Sequence, residues 1–274
     1  MEEVIVLYPS PGMGHLVSMV ELGKLILTHH PSFTITVLII TAPFNTGSTA
    51  PYIDQVSTTT PSIKFHHLPT ITQPLNPSSS YHDLAYELPR LNNPNLHQAL
   101  QSISNTSMLK ALVIDFFCTA AFDITALLKI PTYYFITGCA SGLAVFLHLP
   151  TIDQNTTKSI KDLNTNLNIP GLPPIPSSDM PLPFLDRTTT AYASFKNTAI
   201  QMTKSKGIIV NTVEFLEARA VKAITDGLCI PNAPIPPIFC IGPLIPTNHQ
   251  TVRYENGRYR TYYSRELCER YRCY

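Results

Sequence analysis

Short apolar runs alternate along the chain with longer segments in which apolar residues recur every three or four positions. In the first such segment, Leu16, Val20, Gly23 and Leu27 share one face at helical spacing. Strands are predicted over seven runs: Val4–Tyr8, Thr34–Ile40, Ile63–His67, Ala111–Ile114, Thr132–Ile136, Gly207–Val210 and Ile238–Ile241. Helices are predicted over six segments: 16–29, 81–104, 118–129, 139–148, 189–204 and 213–226. This alternation predicts an α/β fold, a mostly parallel sheet with helices on both faces.

Two long segments rich in proline and serine interrupt the alternation, at 68–79 and 170–184. Loops of this length without a periodic pattern are usually functional. Both are therefore predicted to form walls of a substrate pocket.

Composition narrows the class of protein. Hydrophobic residues make up 44% of the 274 residues and charged residues 14%, so the chain can bury a sizeable core. The formal net charge of +1 gives no sign of the basic surface that binds a nucleic acid, so no such partner is expected. Six cysteines show no C-x-x-C pair and no zinc spacing, which indicates reduced thiols and no metal site.

No targeting or membrane segment is expected. The N-terminus, Met1-Glu2-Glu3, is acidic and leads directly into a predicted strand, unlike a signal peptide. The most apolar later run, Phe33–Ile40, is too short to span a membrane. We therefore predict a cytoplasmic protein without a membrane span.

The last 24 residues differ from the rest of the chain. Residues 251–274 hold six arginines, whereas the first 250 residues hold three, and they also hold six of the thirteen tyrosines. One interpretation is a basic terminal tail that contacts anionic partners. The other is a segment foreign to the preceding chain, as after a frame shift or a mis-spliced junction. Either way, 248–274 is predicted not to pack on the core.

One histidine stands out in the loop after the first predicted strand. The segment Pro9-Ser10-Pro11-Gly12-Met13-Gly14-His15 leads from that strand into a helix, so His15 lies at the carboxyl edge of the sheet, where open α/β sheets bind ligands. The positive end of the helix disfavours an imidazolium, so a neutral imidazole is expected, which suits a general base. The alternative is a helix-capping or loop histidine without chemistry. Val17 stands where a dinucleotide fingerprint needs its third glycine.

An aspartate ends another predicted strand. Asp115 follows the apolar run Leu112–Ile114, where a carboxylate is costly unless it is paired. Carboxyl ends of parallel strands lie at one edge, so Asp115 and His15 can meet, and the carboxylate would then fix the imidazole tautomer. The alternative is an N-cap for the following helix. A pair without its own nucleophile implies that the substrate brings one, such as a hydroxyl group, and the chain has no G-x-S-x-G elbow of a hydrolase.

Several motifs resemble one enzyme family. The segment Val6–Leu16 resembles the opening of plant family 1 UDP-glycosyltransferases. Further segments of the chain are similar to that family in the same order: 113–117, 133–138, 207–217 and 240–244. The resemblance extends over residues 1–247 and is closest to the branch that glucosylates flavonoids and chalcones.

The resemblance implies a GT-B architecture, in which two Rossmann-like domains face each other across a cleft. Residues 1–247 would be the acceptor-binding domain. His15 would be the general base and Asp115 would orient it, while Gly14 and Thr137 would contact the UDP-sugar. For Thr137, helix capping is the alternative.

The resemblance also implies the substrates. A phenolic acceptor of the flavonoid or chalcone class would lie against Phe117, Leu143 and Phe184. The co-substrate would be a UDP-sugar, with UDP-glucose expected, and no metal would be needed. The acceptor oxygen would displace UDP in one step with inversion at the anomeric carbon.

The chain also departs from the family pattern. The family continues into a second, donor-binding domain with a Trp-bearing signature, whereas this chain contains no Trp and becomes the Arg/Tyr-rich segment after about Asn248. We therefore expect a truncated glycosyltransferase with low or no activity alone. The alternative is a non-catalytic module that binds phenolics or partners.

Overall fold

The computed structural model describes residues 1–41, 48–71, 76 and 79–244. Seven of the described strands belong to one sheet: β1 (Glu3–Tyr8), β2 (Phe33–Ile39), β3 (Ile63–His67), β4 (Met108–Asp115), β5 (Thr132–Ile136), β8 (Gly207–Val210) and β9 (Ile238–Cys240). Their order in the sheet is β3-β2-β1-β4-β5-β8-β9, and every neighbouring pair is parallel. Two short strands, β6 (Asn166–Leu167) and β7 (Ile175–Pro176), form a separate antiparallel pair. The predicted parallel sheet is confirmed.

Helices connect the strands and cover both faces of the sheet. They are α1 (Met13–His29), α2 (Ala50–Thr59), α3 (Tyr81–Leu91), α4 (Asn93–Thr106), α5 (Ala121–Leu128), α6 (Ala140–Asn155), α7 (Leu182–Leu185), α8 (Thr190–Met202) and α9 (Ala218–Thr225). Consecutive strand residues point to opposite faces. Leu7 packs with residues of α1 and α2, whereas Val6 and Tyr8 pack in the larger core that α3 to α9 cover. Both faces of the central strands are therefore apolar.

Three predicted helices are divided or begin later than predicted; one of them, 213–226, is a 3₁₀ turn (Glu214–Leu216) followed by α9. The segment predicted as one helix over 81–104 is two helices, α3 and α4, separated at Asn92. Pro94 lies in the first turn of α4, where a missing N–H costs nothing, and it begins a new helix there. The segment predicted over 118–129 begins instead with a 3₁₀ turn, Phe116–Ala120, before α5.

The strand order places a switch point at the centre of the sheet. From β1 the chain adds β2 and β3 on one side, and from β4 it adds β5, β8 and β9 on the other. The connections after β1 and β4 therefore leave toward opposite faces, and they open a crevice between their first residues. His15 follows β1 and Asp115 ends β4, so both belong to this crevice.

Some predictions fall outside the described residues. These are the segment 248–274, the proposed boundary at 247, and residues 72–75 and 77–78 of the first long loop. Across the part of the chain that is described, no helix combines the length and apolar character needed to cross a bilayer. Within the same residues, no three histidine, cysteine or acidic side chains are grouped to hold a metal ion.

Candidate active site

The loop after β1 brings His15 into the first turn of α1. Gly12 precedes the helix with φ of 125°, a conformation that residues with a side chain rarely adopt. The turn there lets α1 begin at Met13, two residues before His15. A Cβ atom added at Gly14 would meet no atom of the described residues within 4 Å, apart from the backbone of its own helix, so this part of α1 faces open space within the described structure.

Asp115 lies in the same crevice and is fully buried. Its Oδ2 lies 2.7 Å from Nδ1 of His15, a residue 100 positions earlier in the chain. The predicted meeting of the two side chains is confirmed. The other oxygen, Oδ1, accepts a hydrogen bond from the backbone N–H of Phe117, so Asp115 also caps the 3₁₀ turn that follows it. Both interpretations of Asp115, pairing and capping, therefore hold at once.

A third donor reaches the same carboxylate. The hydroxyl of Ser10 donates to Oδ1 of Asp115 at 2.6 Å, and Ser10 is itself buried. The sequence gives no signal for this role of Ser10, because a serine in a Pro- and Gly-rich loop is common and its partner lies 105 positions away.

The electrostatics of His15 differ from the sequence expectation. Burial alone would lower its pKa, but the charge of Asp115 and the hydrogen bond to it outweigh burial, so the pKa of His15 is raised above 6.5. The expectation that the helix end would favour the neutral form is wrong in direction, because a buried carboxylate at hydrogen-bond distance acts more strongly than a partial charge. Below its pKa, His15 is an imidazolium paired with Asp115.

Cys118 is a structural thiol. It is buried, and burial followed by the charge of Asp115 raises its pKa well above 9.0. A thiol that stays protonated is a poor nucleophile. Although Cys118 lies in the 3₁₀ turn at the start of a helical segment, this environment does not activate it.

Aromatic side chains line one side of the His15 ring. The edges of Phe116 and Phe117 approach it, with ring centroids 6.1 and 5.8 Å away. Both belong to what we call the aromatic cluster: Tyr86, Phe116, Phe117, Phe146, Phe184 and Phe195. Phe195 contacts each of the other five at centroid distances between 5.2 and 6.1 Å.

The three residues predicted to contact an acceptor lie in or beside this cluster. Phe117 and Phe184 are cluster members, each 5% exposed, and Leu143 is buried in the same core. Phe116, which the prediction omitted, is half-buried and also contacts His15. Its place directly after Asp115 is the signal that could have revealed it. The contact of any of these residues with an acceptor stays a prediction.

Thr137 directly follows β5. In the pairing of β4 with β5, Asp115 lies opposite Phe135. Thr137 follows Phe135 by two residues, so it lies at the same edge of the sheet as Asp115. The N-cap of α6 is Cys139, whose sulfur accepts a hydrogen bond from the N–H of Gly142. The capping role considered for Thr137 thus belongs to Cys139, and the predicted sugar contact of Thr137 stays a prediction.

The half-buried carboxylate of Glu217 occupies the start of α6. Glu217 accepts from the backbone N–H groups of Ala140 at 2.7 Å and Ser141 at 2.9 Å, and from the hydroxyls of Ser141 and Thr212 at 2.7 and 2.6 Å. Burial raises the pKa of Glu217, but these hydrogen bonds outweigh it, so its pKa is lowered below 4.5. We call this arrangement the Glu217 cap. The sequence gives no local signal for it, because its backbone partners Ala140 and Ser141 lie 77 and 76 positions away in the chain.

Comparison with known proteins decides the family. No family model matches the chain. Individual relatives do: the chain is 52% identical over 252 residues to UDP-glycosyltransferase 88B1 of Stevia rebaudiana, covering 92% of this chain and 55% of that protein. It is 51% identical to the anthocyanidin 5,3-O-glucosyltransferase of a Rosa hybrid cultivar, covering 89% of this chain and 53% of that one. This chain is homologous to plant UDP-glycosyltransferases.

Solved UDP-glycosyltransferase structures agree with the fold. The UGT2 of Phytolacca americana, complexed with UDP-2-fluoro-glucose and pterostilbene, matches with a TM-score of 0.80 at 27% identity. That match covers 90% of this chain and 55% of the other. The described sheet and helices correspond to the N-terminal domain of the GT-B fold. The chain spans about half the length of the UDP-glycosyltransferases it matches.

Proposed function

We propose that this chain supplies the acceptor-binding and catalytic-base half of an inverting glycosyltransferase that moves a sugar from a UDP-sugar to a phenolic hydroxyl. One observation carries the proposal: the hydrogen bond of His15 with a buried Asp115, at the sheet's switch point and beside aromatic rings. A base held in one orientation next to an apolar surface suits the deprotonation of a bound phenol.

The geometry of the pair defines the proton transfer. With Nδ1–H donating to Asp115, the lone pair of His15 lies on Nε2. Nε2 takes the phenol proton as the phenol oxygen forms a bond to the anomeric carbon of the sugar. The bond from that carbon to the diphosphate oxygen breaks, and UDP leaves with the electron pair. Asp115 stabilises the imidazolium that results.

The aromatic cluster supports a flat phenolic acceptor. Phe116 and Phe117 contact the base directly, and Phe146 stacks on Phe184 with an angle of 4° between the rings. Aromatic faces and edges hold a flavonoid or chalcone ring by area and by geometry. Phe117, Phe184 and Leu143 would form the acceptor wall, and Phe116 joins them. The relatives support this class, since one is named for anthocyanidins and one binds pterostilbene.

The starts of two helices point to the position of the donor. The first turn of α1 contains no acidic residue, no described side chain caps it, and its backbone at Gly14 faces open space within the described residues. The start of α6 is filled by the Glu217 cap. Free N–H groups at a helix start favour a developing negative charge, so the diphosphate would lie at α1 rather than α6. Gly14 would allow its approach, and Thr137 would contact the sugar, with UDP-glucose as the expected donor.

A turnover assay tests the proposal. Residues 1–244 are fused to the C-terminal half of the Stevia relative, and the fusion is incubated with UDP-glucose and a panel of chalcones and flavonoids. We expect a β-glucoside of at least one phenol, identified by mass and by the anomeric proton coupling. Binding of phenols without any product would favour the alternative, a non-catalytic module. A product with retained anomeric configuration would exclude the single displacement.

A further inference from the structure

The partners of Asp115 are divided between its two oxygens. Oδ1 accepts from the Ser10 hydroxyl at 2.6 Å and from the Phe117 N–H at 3.1 Å, whereas Oδ2 faces Nδ1 of His15 at 2.7 Å. The carboxylate is fully buried, so its orientation depends on these three donors. Two of the three come from side chains of the same loop and helix start.

Ser10 is well placed to control this orientation. It is 3% exposed and lies five residues before His15, on the loop that joins β1 to α1. On its other side, its hydroxyl oxygen lies 3.7 Å from the sulfur of Cys118. A hydroxyl has one proton to donate, and the carboxylate is the stronger acceptor of the two neighbours.

We propose that Ser10 is a positioning residue: its hydroxyl holds Oδ1 of Asp115 so that Oδ2 stays aligned with Nδ1 of His15. Without this bond, Oδ1 keeps only the backbone donor of Phe117, and the carboxylate is free to rotate about its Cβ–Cγ bond. The alignment with His15 then loosens. The part of the proposal that concerns catalysis rests on the proposed role of His15 as the base.

The consequence is measurable at His15 itself. Asp115 raises the pKa of His15 through its charge and its hydrogen bond, so a loosened carboxylate lowers that pKa toward 6.5. Three described titratable groups interact with the charge of Asp115 besides His15: Tyr81, Tyr86 and Cys118. The pKa values of Tyr81 and Tyr86 are raised first by burial, and that of the Cys118 thiol likewise, so all three stay neutral near pH 7.

The test uses nuclear magnetic resonance on the 274-residue chain with ¹⁵N-labelled histidine. The His15 signals are assigned by their absence in His15→Gln, and the imidazole is titrated from about pH 5 to 9. We expect Ser10→Ala to lower the His15 midpoint and to speed solvent exchange of its Nδ1 proton. Ser10→Thr, which keeps the hydroxyl, restores both.

The matched control is Ser18→Ala. Ser18 lies on α1, the helix that carries His15, and its hydroxyl donates to the carbonyl of Gly14 rather than to Asp115. It is expected to leave the His15 titration unchanged. If Ser10→Ala does not fold, as judged by circular dichroism, Ser10→Cys takes its place, because a thiol has similar size and donates more weakly. A His15 midpoint that is unchanged or raised in the folded variant overturns the proposal.

Activity gives a second, independent readout. In the fusion with a donor-binding half, Ser10→Ala is expected to lower kcat about tenfold, the equivalent of one charge-assisted hydrogen bond, with a small change in KM for the phenol. Its kcat/KM profile should shift on the acidic side with the His15 midpoint. A lowered His15 midpoint without any turnover in the parent fusion would refute the proposed function and leave the positioning role intact. Turnover that is lost in His15→Ala but unchanged in Ser10→Ala would support the proposed function and refute the positioning role of Ser10.

Discussion

Nδ1 of His15 and Oδ2 of Asp115 lie 2.7 Å apart, and the pKa of His15 is raised above 6.5 despite its burial. A raised folded-state pKa means that the folded state binds the proton more tightly than the unfolded state. The pair therefore stabilises the fold fully below about pH 6.5, and this contribution is lost as the pH rises through the folded pKa.

Asp115→Asn tests this pH dependence. The amide removes the charge that holds the imidazolium, so the variant should be most destabilised, relative to wild type, at the acidic end. The difference in unfolding free energy should narrow as the pH rises, measured by urea unfolding between about pH 5.5 and 9. Asp123→Asn, an exposed aspartate on α5, is the control for the change of charge. A difference in unfolding free energy that stays constant over this pH range would contradict the pairing of His15 with Asp115.

His15→Ala is expected to remove the base in the fusion with a donor-binding half. General-base catalysis contributes about 10² to 10⁴ in rate, so kcat should fall at least about 100-fold. The KM for UDP-glucose should change little, because His15 acts on the acceptor proton. His29→Ala, an exposed histidine at the end of the same helix, should keep full activity. Loss of less than tenfold in His15→Ala would remove this residue from the proposed mechanism.

The Glu217 cap predicts a cost in stability. Glu217→Gln keeps the shape but places an NH₂ group against donors, so at least one hydrogen bond to a charge is lost, about 1.5–3 kcal/mol. Urea unfolding at pH 7 measures it, with the exposed Glu214→Gln as the control. Because the pKa of Glu217 is lowered, its contribution is present above pH 4.5 and is lost as the pH falls through the folded pKa. Equal stability of the two variants at pH 7 would mean that the cap contributes nothing.

Phe195 is expected to support acceptor binding through the rings around it. Phe195→Leu keeps an apolar side chain but removes the ring contacts to the rest of the aromatic cluster and to His82, which should cost about 1–2 kcal/mol in stability and weaken phenol binding about fivefold. Calorimetry with a chalcone on the 274-residue chain measures the affinity. Phe122→Leu is the matched control, since Phe122 stacks on Tyr134 outside the aromatic cluster. Equal phenol affinities of Phe195→Leu and Phe122→Leu would show that the aromatic cluster does not contribute to acceptor binding.

The 274-residue chain alone is expected to bind UDP-glucose weakly and to transfer little sugar. A leaving diphosphate needs its developing charge stabilised, usually by helix starts and positive side chains. The segments that follow the four central strands contain no Lys or Arg: 9–15, 116–120, 137–141 and 211–217. Calorimetry with UDP-glucose and product detection by mass spectrometry measure both quantities. Micromolar affinity, or turnover equal to that of full-length relatives, would show that a donor-binding half is dispensable.

Local patterns were enough to predict most of the sheet. The strand β5 is observed over Thr132–Ile136, as its apolar run predicts, and β1 extends one residue beyond its prediction. Parallel pairing then places the ends of β1 and β4 side by side, which is why the meeting of His15 and Asp115 could be predicted from two separate motifs.

The missed features depend on contacts distant in the chain or on weak local signals. The helix α2 was not predicted because only Ile53 and Val56 of its ten residues are buried. The helix boundary at Asn92 was not predicted because apolar positions continue at helical spacing on both sides of it. Ser10 and Glu217 bind partners 105 and 76 residues away, and a serine or glutamate in a loop has many other uses.

The central pairing of β1 with β4 also has a consequence for how the protein is made. During synthesis, His15 leaves the ribosome 100 residues before Asp115. Contacts this far apart in sequence form late, because the intervening chain must first be ordered. Until then β1 can pair only with β2, which has β3 on its far side, and the other edge of β1 is unpaired. A nascent chain is therefore most open to aggregation or chaperone binding at β1 before β4 emerges, and the His15–Asp115 bond forms only once that edge has closed.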